Sequence, residues 1–436
     1  MPPVSIDVFP PASSAPFSPP RDAPAAGLAS VRIVYLSASG ELGGAERLLL
    51  DLLATVRAAR PAWGLRLLAA EEGPLGARAA ELGVEVETVP FPPVLARLGD
   101  SAAAAERGSA LSLLPRALGA ARGVAGYAAR LHRALAEARP DVVHSNGYKM
   151  HVLGAWAGPR GTPLLWHLHD FVTPRPVMSR LLRAHLRGCA AAVANSRAVA
   201  DDARAACGPG LPVRVVHNAV DLEAYAPGGA AADLDALSGL PPAAPGTVRV
   251  GLVATAGRFK GHDVFLRALA RLPAGLPVRG YVVSGPVYAT AGSQFSLEEL
   301  RALARELGIA ERVGFTGFLA DTAAAMRGLD VVVHASTRPE PFGLVVVEGM
   351  ACGRAVVASL AGGVPEIVTP GRDALAHPPG DDAALAECIR ALAEDPALRE
   401  RLGREGRRTA EARFGRERLA EEMVPVYERL AARREG

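Results

Sequence analysis

Short apolar runs rich in Val, Leu, Ile and Ala alternate along this chain with stretches whose apolar positions return every three or four residues. The short runs suit buried parallel strands, and the periodic stretches suit helices packed on them. From Val31 the series reads VRIVYLS, a helix over Ala45 to Ala59, LRLLAAE, a helix over Leu75 to Leu82, then VEVETV, DVVHS, PLLWHLH, AAVANS and VRVVH. Such strand runs with helical intervals predict a doubly wound parallel sheet. Residues 218–247 lose the periodicity and fill with Gly, Pro and Ala, as a boundary between domains does. A second series follows: VRVGLVA, a helix over Gly261 to Leu272, RGYVVSG, a helix over Leu297 to Leu307, RVGFTG, LDVVVHA, a helix over Gly343 to Ala351, AVVAS and ALAHP. The last periodic stretch, Arg416 to Arg433, is long enough to cross back onto the first domain, and Pro425 should kink or break it.

The expected partition is a Pro- and Ala-rich disordered lead at residues 1–30, a Rossmann-like domain at 31–220, a linker at 221–247, a second Rossmann-like domain at 248–414 and a C-terminal helix at 415–436. A length of 436 residues fits two domains of roughly 200 residues each. Half of the residues are apolar and only 5% aromatic, which suits helices packed closely on sheets through small side chains. The lead lacks the apolar core of a signal peptide. The longest uncharged run, Gly280 to Leu297, is interrupted by Ser, Gln, Pro and Gly and does not read as a membrane span. Cys189, Cys207, Cys352 and Cys388 show no disulfide or metal spacing, so a reducing, cytoplasmic setting is expected.

Charge divides unevenly. Residues 1–220 hold 23 Arg and Lys against 17 Asp and Glu, a balance of +6, which leaves −3 for the rest of a chain of net charge +3. Residues 91–139 carry seven Arg (97, 107, 116, 122, 130, 133 and 139) against Asp100, Glu106 and Glu137. Such a basic amphipathic stretch fits two readings: contact with an anionic membrane at its inner face, or a long helix on the sheet with its arginines in solvent. No nucleic-acid partner is expected.

The densest chemical signal is Arg338-Pro339-Glu340-Pro341-Phe342-Gly343-Leu344-Val345-Val346-Val347-Glu348-Gly349. A β-branched run at 329–335 precedes it, and a helical pattern starts at Gly343. The two prolines hold Glu340 in an extended loop, and the free N–H groups of the helix start make an anion site at the sheet edge. Glu348 then lies about a turn and a half into the helix. Two carboxylates so placed can take hold of one ligand from opposite ends, a geometry suited to a sugar joined to a diphosphate.

The stretch EPFGLVVVEGMACGRAVVAS, followed by AGGVPEIV, resembles the nucleotide-sugar signature of family 4 glycosyltransferases, and the resemblance extends over most of residues 31–432. It implies the GT-B architecture, two Rossmann-like domains facing each other across a cleft, and a retaining, metal-independent transferase with no cofactor beyond a nucleotide-diphosphate sugar. It also implies that Glu340 contacts the donor sugar, that the amides at Gly343 and Leu344 contact the sugar and diphosphate, and that Glu348 binds the ribose.

Other residues take meaning from their positions. Arg outnumbers Lys 46 to two, so the two lysines stand out. Lys260, with Arg258, lies in the loop after the first strand of the second domain, where ligands of α/β folds bind. Cations there can neutralise charge growing on a departing diphosphate. The family places Gly-Arg at the strand end with a Lys five residues after the Arg; here those two positions are Ala254 and Thr255, and Arg258 lies two before Lys260. Lys149, in HSNGYKMH beside Asn146 and Tyr148, is placed either to contact acceptor or phosphate or to cap a surface helix. Gly43 and Gly44 open a helix after the first strand and allow close approach of a ligand, in the loop that the family uses for the diphosphate and acceptor. His169, followed by Asp170 at the end of PLLWHLH, matches the family's first-domain histidine beside the donor sugar. His167 shares its face, but no third ligand is spaced to complete a metal site. No G-x-G-x-x-G series occurs here to suggest a dehydrogenase.

The resulting expectation is transfer of a hexose-type sugar to a glycan, lipid-linked or small-molecule acceptor. No first-domain carboxylate suits a double displacement, which favours a front-face reaction in which the departing phosphate takes the acceptor proton. The competing readings are a nucleotide-sugar epimerase and a non-catalytic subunit that binds sugar nucleotides.

Overall fold

The structure, a computed structural model, describes residues 30–92, 95, 110–285 and 293–435. Residues 1–29 of the expected lead, residues 93, 94 and 96–109 of the basic stretch, and part of the uncharged run at 286–292 lie outside the described residues.

Thirteen strands form two parallel sheets among the described residues. The first holds β1 (Arg32–Ser37), β2 (Gly64–Ala69), β3 (Glu85–Thr88), β4 (Val142–Asn146), β5 (Leu164–Leu168), β6 (Cys189–Ala194) and β7 (Val213–Val215), in the order β3-β2-β1-β4-β5-β6-β7. The second holds β8 (Val248–Val253), β9 (Val278–Val283), β10 (Val313–Phe315), β11 (Val331–His334), β12 (Ala355–Ser359) and β13 (Leu375–His377), in the order β10-β9-β8-β11-β12-β13. In each sheet the strand order reverses beside its first strand, the doubly wound topology whose ligands bind at the carboxyl ends of the strands.

Strand pleating sends alternate residues to opposite helical layers. From β1, Ile33 and Tyr35 enter a core with the helix Gly44–Ala59, while Val34 and Leu36 enter a core with the helices Ala110–Ala138, Tyr148–Ala157, Pro176–Ala184 and Arg197–Cys207. From β11, Val331 and Val333 meet the helices His262–Arg271 and Asp382–Glu394, while Val332 meets Val346, Val347 and Met350 of the helix Leu344–Ala351.

The chain crosses between the domains twice, side by side. Val220 pairs in parallel with Gly415, its N–H donating to Phe414 O at 2.8 Å, and Arg416 bonds Asp221 at 2.5 Å. The final helix, Arg418–Glu435, then lays Leu419, Met423, Val424, Tyr427 and Leu430 into the first domain's core. It runs through Pro425 without a break, although the sequence suggests a kink or stop there. Pro425 and Glu421 are both exposed, so water can satisfy the Glu421 carbonyl that loses its helical donor. Much of the stretch 221–247 also belongs to the second domain. The short helix Leu234–Ser238 buries Asp235 against Arg249 at 3.0 Å, Arg279 at 2.6 Å and Tyr281 at 2.6 Å.

Candidate active site

The second-domain half is built from loops at the carboxyl ends of β8, β11 and β12. After β11 the chain extends through Ser336 to Glu340, whose side chain is nearly buried. Its Oε1 accepts from Lys260 Nζ at 2.5 Å and from Ser336 Oγ at 2.6 Å, with His334 Nε2 at 3.6 Å. Burial alone would raise this carboxyl, but the Lys260 charge and the His334 ring hold it well below the usual carboxylate range. Glu340 is thus a fixed anion against a fixed cation.

Two glycines make that approach possible. Gly261, at φ +74°, carries the Lys260 loop so close to β11 that a Cβ would stand 1.9 Å from Ala335 O. Gly362, at φ +68°, lets the loop after β12 touch Glu340, where a Cβ would stand 2.0 Å from the Glu340 carbonyl oxygen. Both positions require the left-handed backbone and bare space that only glycine supplies.

Gly343 caps the helix Leu344–Ala351, so the free N–H groups expected there stand just beyond Glu340. Glu348 follows in that helix, its Oε1 accepting from the Tyr225 hydroxyl at 3.0 Å. Burial raises the Glu348 carboxyl, and the Tyr225 bond and the charge of Arg47 work against it. Two glutamates eight residues apart therefore sit in opposite electrostatic settings.

Arg258 is brought elsewhere. Its guanidinium pairs with Glu299 at 2.6 Å and lies 4.3 Å from the centre of the Phe295 ring. Lys260 is the cation that the fold sets beside Glu340.

In the first domain, His169 follows β5 with Nε2 2.5 Å from Asn146 Oδ1. An amide oxygen accepts, so this nitrogen carries the proton and Nδ1 is left as the acceptor. Burial depresses the imidazole to about 4, so it is neutral near pH 7. Behind it runs a file of rings: the centroids of His169 and His167 lie 4.0 Å apart, His167 Nδ1 is 3.1 Å from His144 Nε2, and His144 Nδ1 is 2.7 Å from the Tyr427 hydroxyl. Gly43 is the N-cap of the helix Gly44–Ala59, and the Glu46 carboxylate folds back beside it; burial raises that carboxyl against the pull of the Gly43 and Glu46 amides. Lys149 lies in the first turn of the helix Tyr148–Ala157, its ammonium 5.6 Å from the centre of the Phe91 ring, while the Tyr148 hydroxyl donates to Asp170 O.

The two halves meet beside these groups. Asn195 donates through Nδ2 to the His169 carbonyl at 3.1 Å, and its neighbour Ser196 packs against Gly363, whose amide donates to the Glu340 carbonyl at 2.8 Å. Glu366 of the second domain accepts from the Arg197 and Ala198 amides at 2.9 and 3.1 Å and from His217 Nε2 at 3.0 Å. The backbones at His169 and Glu340 are thus linked through Asn195, Ser196 and Gly363, with Lys260 on the Glu340 side chain. Among the described residues, no cluster of three His, Cys, Asp or Glu is placed to hold a metal ion.

The family profile of the glycosyl transferases group 1 matches residues 244–409, and that of Glycosyltransferase Family 4 matches residues 74–224. The D-inositol 3-phosphate glycosyltransferase 1 of Catenulispora acidiphila is 35% identical over 309 residues, covering 66% of this chain and 72% of that one. The chain belongs to the family 4 glycosyltransferases. Another family member, the D-inositol 3-phosphate glycosyltransferase of Streptomyces avermitilis, is 34% identical over 307 residues, 66% of this chain; the chain spans 65% of that relative's length. Anabaena HepE, solved in complex with UDP-glucose, is 27% identical with a TM-score of 0.72, covering 91% of this chain and all but 1% of its own. The two-domain fold is thus that of GT-B glycosyltransferases, as the family resemblance implies.

Several groups around the site gave no sequence signal. Ser336 and His334 are ordinary strand-end residues until the fold turns them onto Glu340. Tyr225, Asn195 and Glu366 act across 26 to 169 residues of chain, beyond the reach of local pattern.

Proposed function

We propose that this protein moves a hexose-type sugar from a nucleotide-diphosphate sugar to an acceptor hydroxyl, with retention of configuration and without a metal ion. The observation that carries the reading is the Lys260–Glu340 pair, its carboxylate buried and its ammonium half-buried, beside the helix start at Gly343, with Glu348 farther along the same helix. The helix amides and Lys260 supply positive charge where a diphosphate departs, and Glu340 accepts from the sugar hydroxyls. Glu348 takes the ribose. The C1–oxygen bond to the diphosphate breaks as the acceptor oxygen bonds to C1 on the same face, and the acceptor proton passes to the departing phosphate. His169, neutral, is the first-domain residue assigned to the donor sugar, its Nδ1 buried and without a hydrogen-bond partner among the described residues. In support, HepE holds UDP-glucose and the Catenulispora and Streptomyces relatives are glycosyltransferases.

A thermal-shift screen against UDP, GDP and ADP tests the donor. The matching nucleotide at about 100 times its dissociation constant should add about 2.7 kcal/mol to folded-state stability. Glu340→Gln should lower turnover at least about tenfold, with Glu348→Ala chiefly weakening donor binding and EDTA leaving the rate unchanged. Wild-type turnover in both variants would sink the site assignment.

We further propose that the first domain rests on anionic membrane through the helix Ala110–Ala138. In support, Arg122 and Arg133 are exposed while Tyr127, Leu131 and Leu135 take the packing positions. Each basic group near such a surface adds about 1 kcal/mol. Co-sedimentation with vesicles containing phosphatidylglycerol, but not with neutral vesicles, is expected, and Arg122→Glu with Arg133→Glu should release the protein. Equal sedimentation with both vesicle types would refute it.

A further inference from the structure

Tyr225 lies just past the crossing between the domains, and its backbone is pinned from two sides. Arg407 donates to the carbonyls of Leu222 and Tyr225, both at 3.2 Å, and Arg327 donates to those of Ala224 at 3.0 Å and Ala226 at 3.4 Å. The ring packs at the edge of the second domain's core. Its hydroxyl is 2.7 Å from Thr322 Oγ1 and 3.0 Å from Glu348 Oε1. An ionised carboxylate only accepts, so the phenol proton is committed to Glu348 and Thr322 donates to the phenol oxygen. Among the described residues no hydrogen bond reaches Glu348 Oε2, which is left for a ligand.

We propose that Tyr225 is a positioning residue: through the chain Thr322–Tyr225–Glu348 it fixes the Glu348 carboxylate to accept hydrogen bonds from the ribose diol of a bound nucleotide. The inference rests on the donor-site reading above. A glutamate on an open helix face spreads over several rotamers and must be fixed when ligand binds. Here the phenol fixes it beforehand, and the pinned 222–226 backbone fixes the phenol. Burial, which raises the Glu348 carboxyl, is opposed first by this hydroxyl and then by Arg47 of the first domain, so Tyr225 also favours the charged form that accepts.

The test is calorimetric titration of UDP, GDP and ADP, each beside its 2′,3′-dideoxy counterpart, into the full chain, Tyr225→Phe, Thr322→Val and Glu348→Gln. The wild-type chain should favour the ribonucleotide. Tyr225→Phe should bind it about three- to tenfold more weakly and bind the 2′,3′-dideoxy form almost unchanged, bringing the preference toward that of Glu348→Gln. Thr322→Val, which keeps the ring in place, should move the preference the same way by less. Equal weakening of both forms, or an unchanged preference in Tyr225→Phe, overturns the proposal. If the wild-type chain binds none of the three nucleotides, or Glu348→Gln keeps the full preference, the donor-site reading itself fails and takes the inference with it.

Discussion

At the residue scale, one chemistry is tuned in opposite directions by its surroundings. Glu340 is held ionised by Lys260, whereas burial raises Glu348 against the single phenol that bonds it. The buried histidines of the first domain carry a consequence for stability. Burial depresses His169 to about 4 and His144 to about 3, and pushes His151 and His167 well below the ordinary value; His169 lowers all three others by its charge. A folded-state value below the unfolded one of about 6.5 means that the unfolded chain binds protons first. Stability therefore rises with pH through that window and is lost as pH falls from about 6.5 toward 4. Melting temperatures should hold near pH 7.5 and decline from about pH 6.5 to about pH 4.5, and a profile flat across that interval would contradict the buried, neutral assignment. Glu340 contributes in the same sense lower down, since its depressed carboxyl stabilises the fold only while ionised.

At the element scale, the strands were readable because a parallel sheet covered on both faces demands short apolar runs, and each of the runs named in the sequence overlaps a strand. The loops that shape the site were less readable. Arg258 and Lys260 are two residues apart, yet a short 3-10 turn at Arg258–Lys260 sends one to Glu299 and the other to Glu340. Pattern marks a loop as polar but does not say which way its side chains turn. The final helix is the element with the clearest energetic role. Leu419, Met423, Val424, Tyr427 and Leu430 are all buried in the first domain, each contributing roughly 1.5–3 kcal/mol. Their sum is comparable to the whole stability of a domain, about 5–15 kcal/mol. A chain ending at residue 414 should therefore leave the first domain open to limited proteolysis while the second stays resistant. A truncated chain whose first domain resists protease as the full chain does would show that helix to be dispensable.

At the scale of the whole molecule, two domains meet through a paired crossing and through Glu366, which caps a first-domain helix from the second domain. The sequence by itself determined the class of the fold and its two domains, and it brought out the stretch that holds Glu340 and Glu348. Those follow from local periodicity and from one contiguous stretch, Arg338 to Gly349, in which spacing fixes geometry. Tertiary structure alone decided what faces that stretch. Tyr225 reaches Glu348 across 123 residues, Glu366 reaches Arg197 across 169 and Tyr427 reaches His144 across 283. The stretch 221–247 shows the same limit: its periodicity is lost, yet Asp235 pins it to the second domain by buried polar bonds that leave no hydrophobic period. Periodicity reports which face of an element is buried, whereas such contacts depend on where distant segments are brought together, and only packing of the complete chain sets that.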